Sequence, residues 1–178
     1  MDQNKRQIIC RLFPEINLVT DKELAEKAVA VWVRFWEHSR WERIEDVPFN
    51  DQGLPLKLVS HTRSVIRGAI ALADILKEEQ KTKVDTDLLI LACFLHDVSK
   101  IAEYDSHDKN GNAVKSEAGR LYQHAFLGAA MALEAGFPPK LVSIILLHTD
   151  QSNRQSDAVE CTLLKCADTA SMKAALLQ

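Results

Sequence analysis

Four histidines and two aspartates of this chain stand within, or at the ends of, segments that are otherwise apolar. In order they are His61, the adjacent pair His96-Asp97, His124, His148 and Asp168. This placement constrains the fold more than any other feature of the sequence. Imidazole and carboxylate groups are seldom set among apolar side chains without partners. Burying an unpaired polar group costs roughly 2–7 kcal/mol, and an unpaired charge far more. A fold that gathers all six around metal ions gives each of them a partner at once.

The segments that carry them read as helices. Apolar residues recur mostly at three- and four-residue spacing, alternating strand patterns are hard to find, and Gly and Pro number only 6 and 5 in 178 residues. The expected class is therefore all-α. Thr20, with Glu23 three residues later, has the form of a capping box, with Thr20 as N-cap. It opens a helix burying Leu24, Ala28, Val31, Trp32, Phe35 and Trp36. Residues 39–56 read as a connection with one short turn. A second helix is expected from Leu56 to Glu79, with His61, Val65, Gly68, Ala69, Leu72 and Leu76 along one side. A third runs from Thr86 into His96-Asp97. The polar segment 104–116, with Asn110-Gly111-Asn112, reads as a loop. A fourth helix is expected over 120–135, ended by Gly136, and a fifth from Pro138-Pro139 to His148. After a polar loop over 149–156, a sixth is expected from Asp157 to about Lys173, short and contributing little beyond Asp168. Residues 1–55 form a helical extension packed on the core of a domain spanning 56–178.

Composition excludes several classes. A net charge of −3 and a pI of about 6.1 leave no basic footprint for nucleic acid and no polybasic surface for membranes. Apolar runs such as 141–147 are too short to span a bilayer. The opening MDQNKRQIIC has no signal-peptide pattern. Cys10, Cys93, Cys161 and Cys166 form no CxxC pair, so free thiols in a reducing cytoplasm are expected.

Each of the six residues has an ordinary alternative; together those alternatives require six coincidences. His61, early in its helix, would alone pass for a surface or satisfied core residue. His96-Asp97 ends LLILACFL, the most apolar stretch of the chain, so Asp97 is expected to be buried and to need a cation or several donors. A second such dipeptide, His107-Asp108, lies in a polar loop with no apolar lead-in and is set aside. His124 precedes Gly128, Ala129 and Ala130, and His148 follows SIILL. Asp168 lies within LLKCADTA, where an aspartate is a poor helix former and costly to bury.

With Lys100 three residues after Asp97, the pattern HDVSK and the order His…His-Asp…His…His…Asp resemble the HD-domain superfamily of metal-dependent phosphohydrolases. The resemblance covers about residues 56–172. It implies an all-helical bundle with metals in its core. His61, His96, Asp97 and Asp168 would hold one ion, His124 and His148 would complete a second site, and Asp97 would bridge both. The implied cofactors are two divalent transition-metal ions, Fe, Mn, Co, Ni or Zn, in keeping with imidazole and carboxylate donors and no thiolate. The implied activity is hydrolysis of a phosphomonoester or phosphodiester, on a nucleotide or other small phosphate ester, through a metal-activated hydroxide. Asp97 and Lys100 would be catalytic, with Lys100 reaching a phosphate oxygen; Arg63, close to His61, is the other candidate for binding the anion. In the mononuclear 5′-nucleotidase branch an acid stands where this chain has Lys100, which counts against that mechanism; Glu103 is expected at a pocket edge or exposed. The same ligand set also occurs in diiron oxygenases of this superfamily, and a non-catalytic nucleotide-binding module is the third class. Trp32, Trp36 and Trp41 are assigned to the N-terminal helix and to core packing, with a dimer surface or pocket lid as the other role. Substrate choice is expected to rest with the loops at 39–56, 101–119 and 149–156, and a homodimer is one expected assembly.

Overall fold

A computed structural model describes residues 2–51, 53–54, 56–149 and 154–177. The first helices are α1 (Gln3–Leu12) and α2 (Lys22–Glu37), joined through a 3₁₀ turn at Pro14–Leu18. The cap of α2 is Asp21, whose side chain accepts from the Leu24 amide at 3.0 Å. Thr20 is not the cap. Its amide and hydroxyl both donate to Asp87, which sits at the start of the helix that α2 packs against. A carboxylate from another helix has outcompeted the local box. Trp41 likewise falls beyond the end of α2, in the connection that follows.

That connection holds one 3₁₀ turn, Ile44–Asp46, and leads to α3 (Leu58–Gln80). On α3, His61, Val65 and Ala69 are buried, whereas Leu72 is left partly in solvent. The next helix, α4 (Thr86–Leu95), is capped by Asp85. Every residue of α4 from Leu88 to Leu95 is buried. A helix apolar on all sides has to lie at the centre of its bundle. Around α4 pack α2, α3, the 3₁₀ turn at 14–18 and two later helices, α8 (Pro139–Leu147) and α9 (Val159–Leu176). Phe13, Trp32 and Phe94 form an aromatic cluster with centroids 4.8–5.5 Å apart, and the Trp32 indole donates to the Phe94 carbonyl at 2.9 Å. The first helices therefore share their core with the segment that carries His96-Asp97.

Beyond α4 come the single-turn helix α5 (Lys100–Glu103), a hairpin of β1 (Tyr104–His107) and β2 (Ala113–Lys115), the short α6 (Glu117–Leu121) and α7 (His124–Glu134). The hairpin corrects the expectation of a loop. Its turn is built by Asp108, whose carboxylate accepts from the amides of Asn110 and Asn112 at 2.8 Å, and by Gly111 at φ 82°. With three and four residues, these strands are too short for alternation to register.

The helix expected over 120–135 is two helices. Tyr122 adopts extended backbone between them, at φ −128° and ψ 146°. α6 is capped by Ser116 and pressed against the backbone of Glu103 at Gly119, where a side chain would collide with the Glu103 carbonyl. α9 begins two residues and ends three residues later than expected, and lies along α3, where Ala167 packs beside Gly68. Of the loop expected over 149–156, residues 150–153 lie outside the described residues. All four cysteines are free. Among the described residues no helix is long and apolar enough to cross a membrane.

Candidate metal centre

Five helices deliver the six residues to one place. His61 comes from the first turns of α3. His96 caps the C-terminus of α4, with Asp97 next in the turn that leads to α5. His124 opens α7, His148 caps α8, and Asp168 lies midway along α9. Their donor atoms fall into two groups, each within 4.8 Å: His61, His96 and Asp168, and Asp97, His124 and His148.

Asp97 stands between the groups and turns one oxygen to each. Its Oδ2 is 3.5 Å from Nε2 of both His61 and His96. Its Oδ1 is 3.3 Å from Nε2 of His124 and 3.6 Å from Nε2 of His148. Asp168 Oδ1 is 3.2 Å from His61 Nε2. The imidazoles are oriented from behind. His96 Nδ1 donates to the Cys93 carbonyl at 2.7 Å, and His148 Nδ1 to the Ile145 carbonyl at 2.6 Å. His61 Nδ1 is 3.1 Å from the Ser171 hydroxyl. For His96 and His148 the carbonyls hold the proton on Nδ1 and leave the Nε2 lone pair directed inward, the arrangement that ligating histidines need, whereas the Ser171 hydroxyl accommodates either tautomer of His61.

Burial lowers the His96 pKa to about 4 and that of His124 to about 3, against the pull of Asp97, so both rings are neutral at neutral pH. Burial works the other way on the Asp97 carboxyl. Lys100 and the surrounding imidazoles more than offset it and hold the group well below the usual carboxylate range. Asp168 is held low chiefly by its hydrogen bond to His61, again against burial.

The residues accept a metal on three counts. Asp97 Oδ1 is fully buried with no hydrogen-bond donor. The Nε2 atoms of His61 and His96 lie 3.4 Å apart, close enough for one ion to take both. The donors are imidazole and carboxylate throughout, the set that suits first-row divalent ions. His61, His96 and His148 are closed off from solvent, whereas the side chains of Asp168 and His124 are 24% and 21% exposed, so the centre opens on that side.

Lys100 is buried beside the centre, its Nζ 3.6 Å from Glu103 Oε2 and 5.0 Å above the Phe49 ring. Arg63 does not join it. Two residues after His61 on a helix it points to the other side, is exposed, and pairs with Glu15 at 2.9 Å. His107-Asp108 is also remote in role: His107 packs edge-on against Trp41, and Asp108 serves the hairpin turn.

Two neighbours, Ser171 and Phe49, escaped the sequence reading, and a third, Glu103, was misplaced by it. Ser171 is one turn after Asp168 on α9, a spacing that could have identified it. Glu103 is buried rather than exposed or at a pocket edge, and its i,i+3 relation to Lys100 was the available signal. Phe49 packs tilted against His61, with ring centroids 3.9 Å apart, and comes from the irregular connection, where no periodicity points to it. A groove of about 540 Å³ is lined by Thr20, Asp87, Leu91 and Lys140 and contains none of the six residues.

The chain belongs to the HD domain family, which matches residues 58–173 and so includes all six residues. It is 29% identical over 117 residues to the dihydroneopterin 2′,3′-cyclic phosphate phosphodiesterase of Methanocaldococcus jannaschii. That match covers 65% of this chain and 46% of the relative, so the chain spans about half the length of the protein it resembles. No solved structure matches the chain at a significant level.

Proposed function

We propose that the protein is a metal-dependent phosphohydrolase with a dinuclear centre, acting on a small phosphate ester. The observation that carries this reading is the division of Asp97, one oxygen facing His61 and His96, the other facing His124 and His148. A single ion would need only one of these faces. His61, His96 and Asp168 would hold one divalent ion, His124 and His148 the other, with Asp97 shared. Such ions, when bound, supply Lewis acidity toward phosphoryl oxygens and lower the pKa of water.

The chain's own residues would do the rest. Lys100 presents a point charge to a phosphoryl oxygen from within one turn of Asp97. Phe49, packed against both His61 and Lys100, closes that wall of the site to water. Asp168 and His124 border the opening through which a substrate enters. Arg63, engaged with Glu15 on the far side of α3, is dropped from the substrate-binding set.

Because the relative from M. jannaschii is named for a cyclic phosphodiester, cyclic phosphodiesters are the first class to test, followed by nucleoside monophosphates. Protein loaded with Mn²⁺, Fe²⁺, Co²⁺ or Ni²⁺ should open a 2′,3′-cyclic nucleotide or release phosphate from a monoester, and Asp97→Asn should not. Intact esters across both classes, with two metals bound, would refute the hydrolase. Substrate-dependent oxygen uptake by the iron-loaded protein would assign it to the oxygenases instead.

A further inference from the structure

His61, His96 and His148 each have a hydroxyl or backbone carbonyl behind Nδ1. His124 has neither. What faces its Nδ1, at 3.8 Å, is Oε2 of Glu103. The same carboxylate lies 3.6 Å from Lys100 Nζ and, through Oε1, 3.5 Å from Lys115 Nζ on β2. Glu103 is only 7% exposed, and its buried Oε2 makes no other hydrogen bond among the described residues.

The backbone at Glu103 is held in place. Its carbonyl accepts from the Ser116 amide at 2.9 Å, and α6 rests on it at Gly119. A buried carboxylate this constrained, with one oxygen turned toward a histidine and a lysine, is poorly explained by the hairpin ion pair alone. Lys115 needs only Oε1, and Asp51 already lies 3.5 Å from the same ammonium.

We propose that Glu103 is a positioning residue of this centre: its Oε2 holds the Nδ1 edge of His124 and the Lys100 ammonium, directing His124 Nε2 toward the second ion and Lys100 toward the phosphoryl group. The inference rests on the dinuclear reading above. A carboxylate behind a ligating imidazole fixes its tautomer and raises its basicity, and loss of such a partner typically weakens metal binding by about 10–100-fold.

Metal uptake tests this without reference to turnover. Apo protein would be titrated with Co²⁺ against a chromophoric chelator, following stoichiometry and the absorption bands of the bound ion. The wild type should take up two ions. Glu103→Gln, of equal size and without charge, should keep the first and bind the second about 10-fold or more weakly. Lys115→Met should leave both affinities within about twofold, since it removes only the hairpin partner. Unchanged binding of the second ion by Glu103→Gln would overturn the proposal. So would equal weakening by Lys115→Met, which would reduce Glu103 to a hairpin anchor. Uptake of fewer than two ions by the wild type would instead refute the dinuclear reading, and the role of Glu103 with it.

Discussion

The dipeptide His-Asp occurs twice in this chain, and the two copies have little in common beyond their letters. His96-Asp97 follows a helix buried on every side, and its two side chains are 0% and 2% exposed. His107-Asp108 ends one strand of an exposed hairpin and begins its turn. Both aspartates are held below the usual carboxylate range, for different reasons. For Asp108 the cause is hydrogen bonding, first from the Asn112 amide and then from its side chain. For Asp97, burial pushes upward and is overcome, chiefly by the charge of Lys100. A depressed carboxyl thus marks a favourable local field without saying what produced it. The lack of a donor on Asp97 Oδ1 is the difference that points to a cation.

Paired substitutions would break or sharpen this contrast. The largest effect is expected at the dipeptides themselves. Asp97→Asn or His96→Ala should lower kcat/KM by about 1,000-fold or more and release bound metal, as expected when a metal ligand is removed. Asp108→Asn and His107→Ala should stay within about twofold and keep the full metal complement. Elemental analysis beside a phosphate-release assay decides this. Metal loss from Asp108→Asn would return the second dipeptide to the site.

The supporting elements should differ next. Leu91→Ala, in the helix that leads to His96, should cost about 2–5 kcal/mol in denaturant unfolding. Val114→Ala, in the hairpin that carries the other copy, should cost less than about 0.5 kcal/mol. Similar losses would mean that the hairpin is part of the core. A smaller effect concerns Asp87, which takes the Thr20 amide and hydroxyl and the Asp21 amide. Asp87→Ala should lose about 1–2 kcal/mol. Burial raises the Asp87 pKa, but these bonds more than offset it and bring it below 3.8. Their contribution is therefore complete above the unfolded value and disappears as pH falls through the folded one. The difference in stability between wild type and Asp87→Ala should accordingly narrow below about pH 4.

The smallest effect is a titration. The Asp108 carboxyl should titrate below 3.8 by NMR, and Asn112→Ala should move its midpoint back toward that value while leaving metal binding unchanged. An unmoved midpoint would mean that the turn hydrogen bonds do not set it.

Much of this was legible along the chain. The six ligand candidates were visible because each interrupts an apolar helical pattern, and a pattern of that kind survives any packing of the helices. The central helix was visible because LLILACFL has no polar face to offer solvent. Other features depended on what one segment does to another. Thr20 looked like a cap until Asp87 took its hydroxyl. Arg63 is adjacent to the site in sequence and across the helix from it in space. The break at Tyr122 has no proline or glycine to announce it; it follows from seating α6 on Glu103 and beginning α7 at His124.

Sequence alone determined an all-helical class, the identity of the six ligand candidates and the rejection of His107-Asp108, because all of these follow from local periodicity and the cost of burying polar groups. The tertiary structure alone decided that Asp97 divides its oxygens between two histidine pairs, that Ser171 and Glu103 stand behind His61 and His124, and that Phe49 packs against both His61 and Lys100. These are relations between atoms on different elements, and spacing along a chain carries no information about which faces meet.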